Sequence, residues 1–135
     1  MAKTNFVSAS IGKEQYKTDI AFGNHSFVSD EPLENGGASA GPSPSDLLAS
    51  ALASCTAITL RMYADRKEYD IEKIDVEIAM SRTDLSGVTH TLFERKIRIT
   101  GNITDEERKR LFDIADKCPT HKVLKGEITI TSTIE

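Results

Sequence analysis

The chain contains no tryptophan and only two cysteines in 135 residues. Cys55 and Cys118 are too few for a disulfide framework and too far apart for a CxxC spacing. Basic residues are also short, 17 Lys and Arg against 21 Asp and Glu, for a net charge of -4. No global basic field exists to attract nucleic acid, which removes it from the expected partners. The longest stretch without a charged residue, Leu47 to Leu60, is too short to span a bilayer and rich in small side chains. The N-terminal MAKTNFVSAS has neither the apolar segment nor the cleavage site of a secretory leader. These absences lead to the expectation of a cytoplasmic protein with no membrane partner, whose thiols are structural or redox-active.

What remains is an ordinary globular composition, 39% hydrophobic and 28% charged, in a length that suits a single domain over 1–135. Short apolar runs come first. Phe6 to Ile11 is followed by Tyr16, Thr18, Ile20 and Phe22 at period two, and Gly23-Asn24 turns the chain into His25 to Val28. This predicts a small antiparallel meander, because such a dipeptide supplies the positive φ angles of tight hairpins. The polar loop DEPLENGGASAGPS, residues 30–43, is long for a compact domain, as functional loops often are. It leads to a helix start with Ser43 as N-cap, Pro44 at the first position and Asp46 at the third. Leu48, Leu52, Cys55, Thr59 and Met62 then share one face, with Ala49, Ala53 and Ala57 on another, and charge returns from Arg61 to Asp70.

Two longer strands follow, Ile74 to Met80 and Phe93 to Ile99, around a turn at Ser86-Gly87. The outer face of the first is acidic and that of the second mainly basic, so antiparallel pairing sets opposite charges across the ladder. Thr104 to Glu107 is a capping box that opens a helix through Leu111, Ile114 and Cys118, ended or restarted at Pro119. Ile128, Ile130 and Ile134 alternate with threonines and predict a last strand. The order βββ-α-ββ-α-β predicts an α+β fold, antiparallel sheets packed on a long central cysteine-bearing helix.

Taken from the residues alone, Cys55 in an uncharged helix reads as a buried structural thiol. The helix start lies too far upstream to lower its pKa, so activation requires a cation or donors from elsewhere in the fold. Cys118, at a helix end among Lys117, His121 and Lys122, reads as the more accessible thiol. Cys118 and His121 have a CxxH spacing, but a structural zinc would need Cys55 and either His25 or His90 as well, so no metal is assigned.

Two segments, GPSPSDLLASALASCTAITLRMYADRK and LFDIADKCPTHKVLKGEI, resemble the cysteine-bearing motifs of the OsmC/Ohr family, and GNHSFVSDEP before the loop extends the resemblance. The resemblance implies an OsmC-like intertwined homodimer with active sites at the subunit interface. It implies a thiol-dependent hydroperoxide reductase acting in oxidative stress defence, with no cofactor beyond an external dithiol such as a lipoylated protein. Cys55 would attack the small-molecule hydroperoxide as thiolate, and Cys118 would resolve the sulfenic acid as a disulfide. Two positions depart from the pattern. The family's usual glutamate falls at Ser45, with Asp46 next to it, and no arginine precedes Arg61 to serve as the thiolate partner. One residue along a helix turns a side chain by about 100°, so Asp46 is not an equivalent replacement. Lys17, His25, Asp46 and His121 are therefore the candidate activating or pocket residues. The alternative expectation is an OsmC-like dimer that binds a small apolar or thiol-bearing ligand without turnover.

Overall fold

Residues 4–135 are described in a computed structural model. Met1, Ala2 and Lys3, part of the N-terminal stretch read above as leaderless, lie outside the described residues. The chain forms two compact units, one running to Leu48 and the other from Ala49 to Glu135.

In the first unit, β1 (Ser8–Ile11), β2 (Thr18–Phe22) and β3 (His25–Ser29) form the expected antiparallel meander in the order β1-β2-β3. Phe22 pairs with His25, so Gly23-Asn24 is the two-residue turn, with Gly23 at φ 57°. The loop after β3 is organised by one buried carboxylate. Asp30 accepts the backbone N–H groups of Tyr16 (3.2 Å) and Glu31 (2.7 Å) on one oxygen, and those of Ala38 (3.2 Å) and Ala40 (3.0 Å) on the other. These donors, the Ala40 N–H foremost, outweigh burial and hold the Asp30 carboxyl below its ordinary pKa. Pro42 closes the loop, its carbonyl accepting from the Asp30 N–H and the Ser29 hydroxyl. Gly37 and Gly41 fit where the chain doubles back: a Cβ would collide with the carbonyl of Glu31 at the first and of Val28 at the second. Ser43 and Asp46 then cap the long helix reciprocally. The Ser43 hydroxyl accepts from the Asp46 N–H at 3.2 Å, and the Asp46 carboxylate accepts from the Ser43 N–H at 3.1 Å.

Helix α1 (Pro44–Lys67) carries the chain into the second unit. It outruns the charge-free stretch and is long and apolar enough to cross a membrane by length and composition alone. In the fold it buries Leu52, Thr56, Leu60, Tyr63 and Ala64. That stripe is rotated from the expected face: Leu48 and Met62 are exposed, and Cys55 and Thr59 are half-buried. The polar Thr56 is admitted to the interior because its hydroxyl donates to the Leu52 carbonyl at 2.7 Å.

Strands β4 (Asp70–Leu85) and β5 (Val88–Asn102) form a two-stranded antiparallel sheet turning at Ser86-Gly87. The expected charge ladder is present, with Asp75 opposite Arg98 and Glu77 opposite Lys96. Such cross-strand pairs contribute roughly 0.2–1 kcal/mol each. Leu60, Tyr63 and Ala64 pack with Ile71 of β4 and with Leu111 and Ile114 of α2 (Asp105–Ile114), while Ile74, Ile97 and Ile99 border this core. Thr104 and Glu107 complete the expected capping box of α2. Arg110 ties that helix to α1 through a 3.0 Å bond from its Nε to the Tyr63 hydroxyl. The helix stops at Ile114 rather than running to Cys118. A 3-10 turn over Ala115–Lys117 follows, and α3 (Pro119–Lys125) restarts at the proline.

The expected last strand is corrected: residues 127–135 form no strand. Ile128, Ile130 and Ile134 pair with no strand among the described residues, and all three are exposed. A strand is defined by its ladder, which local pattern cannot supply. The fold is α+β, with antiparallel sheets and one long cysteine-bearing helix.

Candidate functional site

The site forms where the middle of α1 meets the segment between α2 and α3. Helix α1 brings Cys55, half-buried, and the 3-10 turn delivers Cys118, which is fully buried. The expected accessibility of the pair is thus reversed. Cys118 lies at a break between two helices, but the break faces inward, and Cys118 caps α3 by accepting the His121 N–H on its sulfur at 3.5 Å.

The two thiols are near enough for each to shift the other's titration. Their acid–base bias is opposite. Burial pushes the Cys55 thiol up, but the Cys118 side chain, the Thr120 hydroxyl and N–H, and the Thr59 hydroxyl together draw it below the ordinary thiol value. Burial raises Cys118, and its bond to Cys55 raises it further. A thiolate is thereby favoured on the more exposed sulfur and a proton on the enclosed one.

One guanidinium stands beside both cysteine segments. Arg95 of β5 donates from one nitrogen to the Thr56 hydroxyl (3.2 Å) and the Ala115 carbonyl (3.4 Å), and from the other to the Asp116 carboxylate (2.7 Å). His121 is half-buried, with Nδ1 3.9 Å from the same carboxylate oxygen. Leu52, one turn before Cys55, lines a cavity of about 270 Å³ with Leu92, Phe93 and Leu124, where Arg95 and His121 supply the polar side.

Of the residues singled out from the sequence, Cys55, Cys118 and His121 belong to this cluster. Lys17, His25 and Asp46 belong to the first unit: Lys17 is exposed, His25 is exposed with its ring 5.6 Å from that of Phe22, and Asp46 caps α1. Sequence reasoning missed Thr56, Arg95, Asp116 and Thr120. Arg95 did leave a signal, since it occupies the inward phase between Phe93 and Ile97, where an unpartnered charge would be costly.

The OsmC-like protein family matches residues 36–133, a span that includes both cysteines and every residue of the cluster. The chain belongs to the OsmC-like family. An OsmC-like protein from Mycoplasma pneumoniae has the same fold, with a TM-score of 0.82 at 22% identity over 93% of this chain and 90% of that one. An organic hydroperoxide resistance protein OsmC from Legionella pneumophila gives 0.73 at 20% identity, over 93% and 92% of the two chains. The organic hydroperoxide resistance protein from Elizabethkingia anophelis gives 0.74 at 21%, over 93% and 91%. No curated protein sequence matches the chain. These likenesses establish a common OsmC-like fold.

Proposed function

We propose that this OsmC-like protein reduces organic hydroperoxides by a two-cysteine cycle in oxidative stress defence, Cys55 acting as the peroxidatic thiol and Cys118 as the resolving one. The observation that carries the reading is the pairing of two neighbouring thiols of opposite acid–base bias, the lowered one being the more exposed. The Cys55 thiolate attacks the terminal oxygen of the hydroperoxide. The O–O bond breaks, the alkoxide takes up a proton and leaves as the alcohol, and Cys55 becomes a sulfenic acid. Cys118 then displaces the hydroxyl, releasing water and closing a disulfide, and an external dithiol such as a lipoylated protein reduces that bond by exchange. The description of the Legionella and Elizabethkingia relatives as organic hydroperoxide resistance proteins supports this reading, as does the cavity walled by Leu52, Leu92, Phe93 and Leu124, which reaches α1 one turn before Cys55.

The reading takes the whole chain as one OsmC-like domain, working as an intertwined homodimer in a reducing cytoplasm where both thiols stay free. Its support is the exposed Ile58 and Met62 on α1 and the unpaired isoleucines at the C-terminus. A second reading, a dimer that binds a small apolar or thiol-bearing ligand without turnover, has one observation in its favour: the carboxylate of Asp116, not the Cys55 sulfur, partners Arg95.

The test supplies cumene and tert-butyl hydroperoxide to the reduced protein with dihydrolipoamide or dithiothreitol. Peroxide consumption, with a Cys55–Cys118 disulfide found by mass spectrometry in the absence of reductant, is the expected result. No consumption with either dithiol eliminates the peroxidase reading and leaves the binder.

A further inference from the structure

The geometry points to Arg95 as a positioning residue for the Cys55–Cys118 disulfide, a role that deepens the two-cysteine reading and rests on it. Its guanidinium touches the residue that follows Cys55 and the two residues that open the turn before Cys118. Nη1 bridges the Thr56 hydroxyl and the Ala115 carbonyl, and Nη2 holds the Asp116 carboxylate. The inner contacts are closed to solvent, since Thr56 is 0% and Ala115 1% exposed.

Each acceptor is arranged for this cation. The Thr56 hydroxyl directs its proton to the Leu52 carbonyl, so its lone pairs face Arg95. The Ala115 carbonyl also accepts the Cys118 N–H at 3.4 Å, which makes one oxygen common to the arginine and the backbone of the resolving cysteine. Arg95 thus joins β5, α1 and the 3-10 turn at one point, and its planar fork spans the three acceptors in a way a lysine ammonium cannot.

The consequence concerns the second chemical step. Peroxide attack needs only Cys55, whereas closing the disulfide needs the Cys118 sulfur held against the oxidised one as the hydroxyl leaves as water. Holding two segments in register raises the effective concentration of one thiol toward the other. Arg95 therefore governs how readily Cys55–S–S–Cys118 forms and how firmly it resists glutathione.

The experiment equilibrates the protein with defined ratios of reduced and oxidised glutathione and reads the fraction of Cys55–Cys118 disulfide, with no peroxide present. In Arg95→Ala the equilibrium constant for the disulfide should fall by about tenfold or more, the factor that loss of one charge-assisted hydrogen bond corresponds to. Arg95→Lys should recover part of it, and Thr56→Val, which keeps shape and charge while removing one acceptor, should show a smaller loss. In peroxide-treated Arg95→Ala the Cys55 sulfenic acid should persist longer than in wild type. A disulfide constant within about twofold of wild type in a folded Arg95→Ala overturns the proposal. Should that variant fail to fold, an unchanged constant in Thr56→Val overturns it. Wild type that consumes no peroxide defeats the peroxidase reading instead, and the glutathione measurement still decides the role of Arg95.

Discussion

Thr120, through its hydroxyl and its backbone N–H, draws the Cys55 thiol below its ordinary pKa. The helix that carries Cys55 starts too far away to stabilise a thiolate there, and the donors come mainly from the segment that also carries Cys118, with the Thr59 hydroxyl of α1 beside them. Under the proposed two-cysteine cycle, activation and resolution would both draw on one stretch of chain, Cys118 to Thr120.

Alkylation of Cys55 by iodoacetamide should follow a titration whose midpoint lies below the free-thiol value of about 8.5, because the donors around its sulfur favour the charged form. Cys118→Ala and Thr120→Val each remove a donor and should move the midpoint upward. Rates measured across pH by mass spectrometry of the Cys55 peptide check this, and midpoints unmoved in both variants would refute the donor account.

Cys55→Ser should abolish peroxide turnover. Cys118→Ser should permit one stoichiometric oxidation and then stall, with the sulfenic acid captured by a dimedone probe. Sustained turnover in Cys118→Ser under the same dithiol would remove Cys118 from the resolving role.

Asp30→Asn should lower the thermal midpoint, since it replaces one acceptor oxygen with a donor that faces backbone N–H groups. The pH dependence has a definite sign. The folded Asp30 carboxyl titrates below its unfolded value, so its stabilisation is full above the unfolded carboxylate value of about 3.9 and is lost as pH falls through the lower folded value. The gap in melting temperature between wild type and variant should therefore narrow in acid. A gap that stays constant down to complete acid unfolding contradicts the assignment.

Ile58 and Met62 lie one turn apart on α1, 53% and 66% exposed. If they cover the partner in a homodimer, Ile58→Glu should convert the assembly from dimer to monomer mass in sedimentation while leaving the helical circular dichroism signal in place. A variant that retains the wild-type mass excludes this face from the interface.

Local pattern was enough where a single element carries its own signal. The Gly23-Asn24 hairpin, the caps at Ser43 and Thr104, and the Asp75–Arg98 and Glu77–Lys96 ladder are all set by residues close together in sequence or by strict alternation. The site was legible only in part. Both cysteines could be named, but their exposure was misjudged, because burial at a helix break depends on which side of the break faces the core. Thr56 was not singled out, because its bond to Leu52 and its contact with Arg95 exist only in the fold. The C-terminal isoleucines show the opposite limit: their alternation is real, but a strand needs a partner, and among the described residues they pair with none.

The Asp30 carboxylate fixes the arithmetic of its loop as well as its shape. It gathers donors from positions 31, 38 and 40, with position 16 from the connection between the first two strands. Removing a single residue between Glu34 and Gly37 would pull the Ala38 and Ala40 amides out of reach together, whereas exchanging side chains at Glu34 or Ser39 leaves every one of these backbone donors in place. Evolution and engineering alike are thus free to rewrite much of this segment's lettering, but its length is held by a single anion.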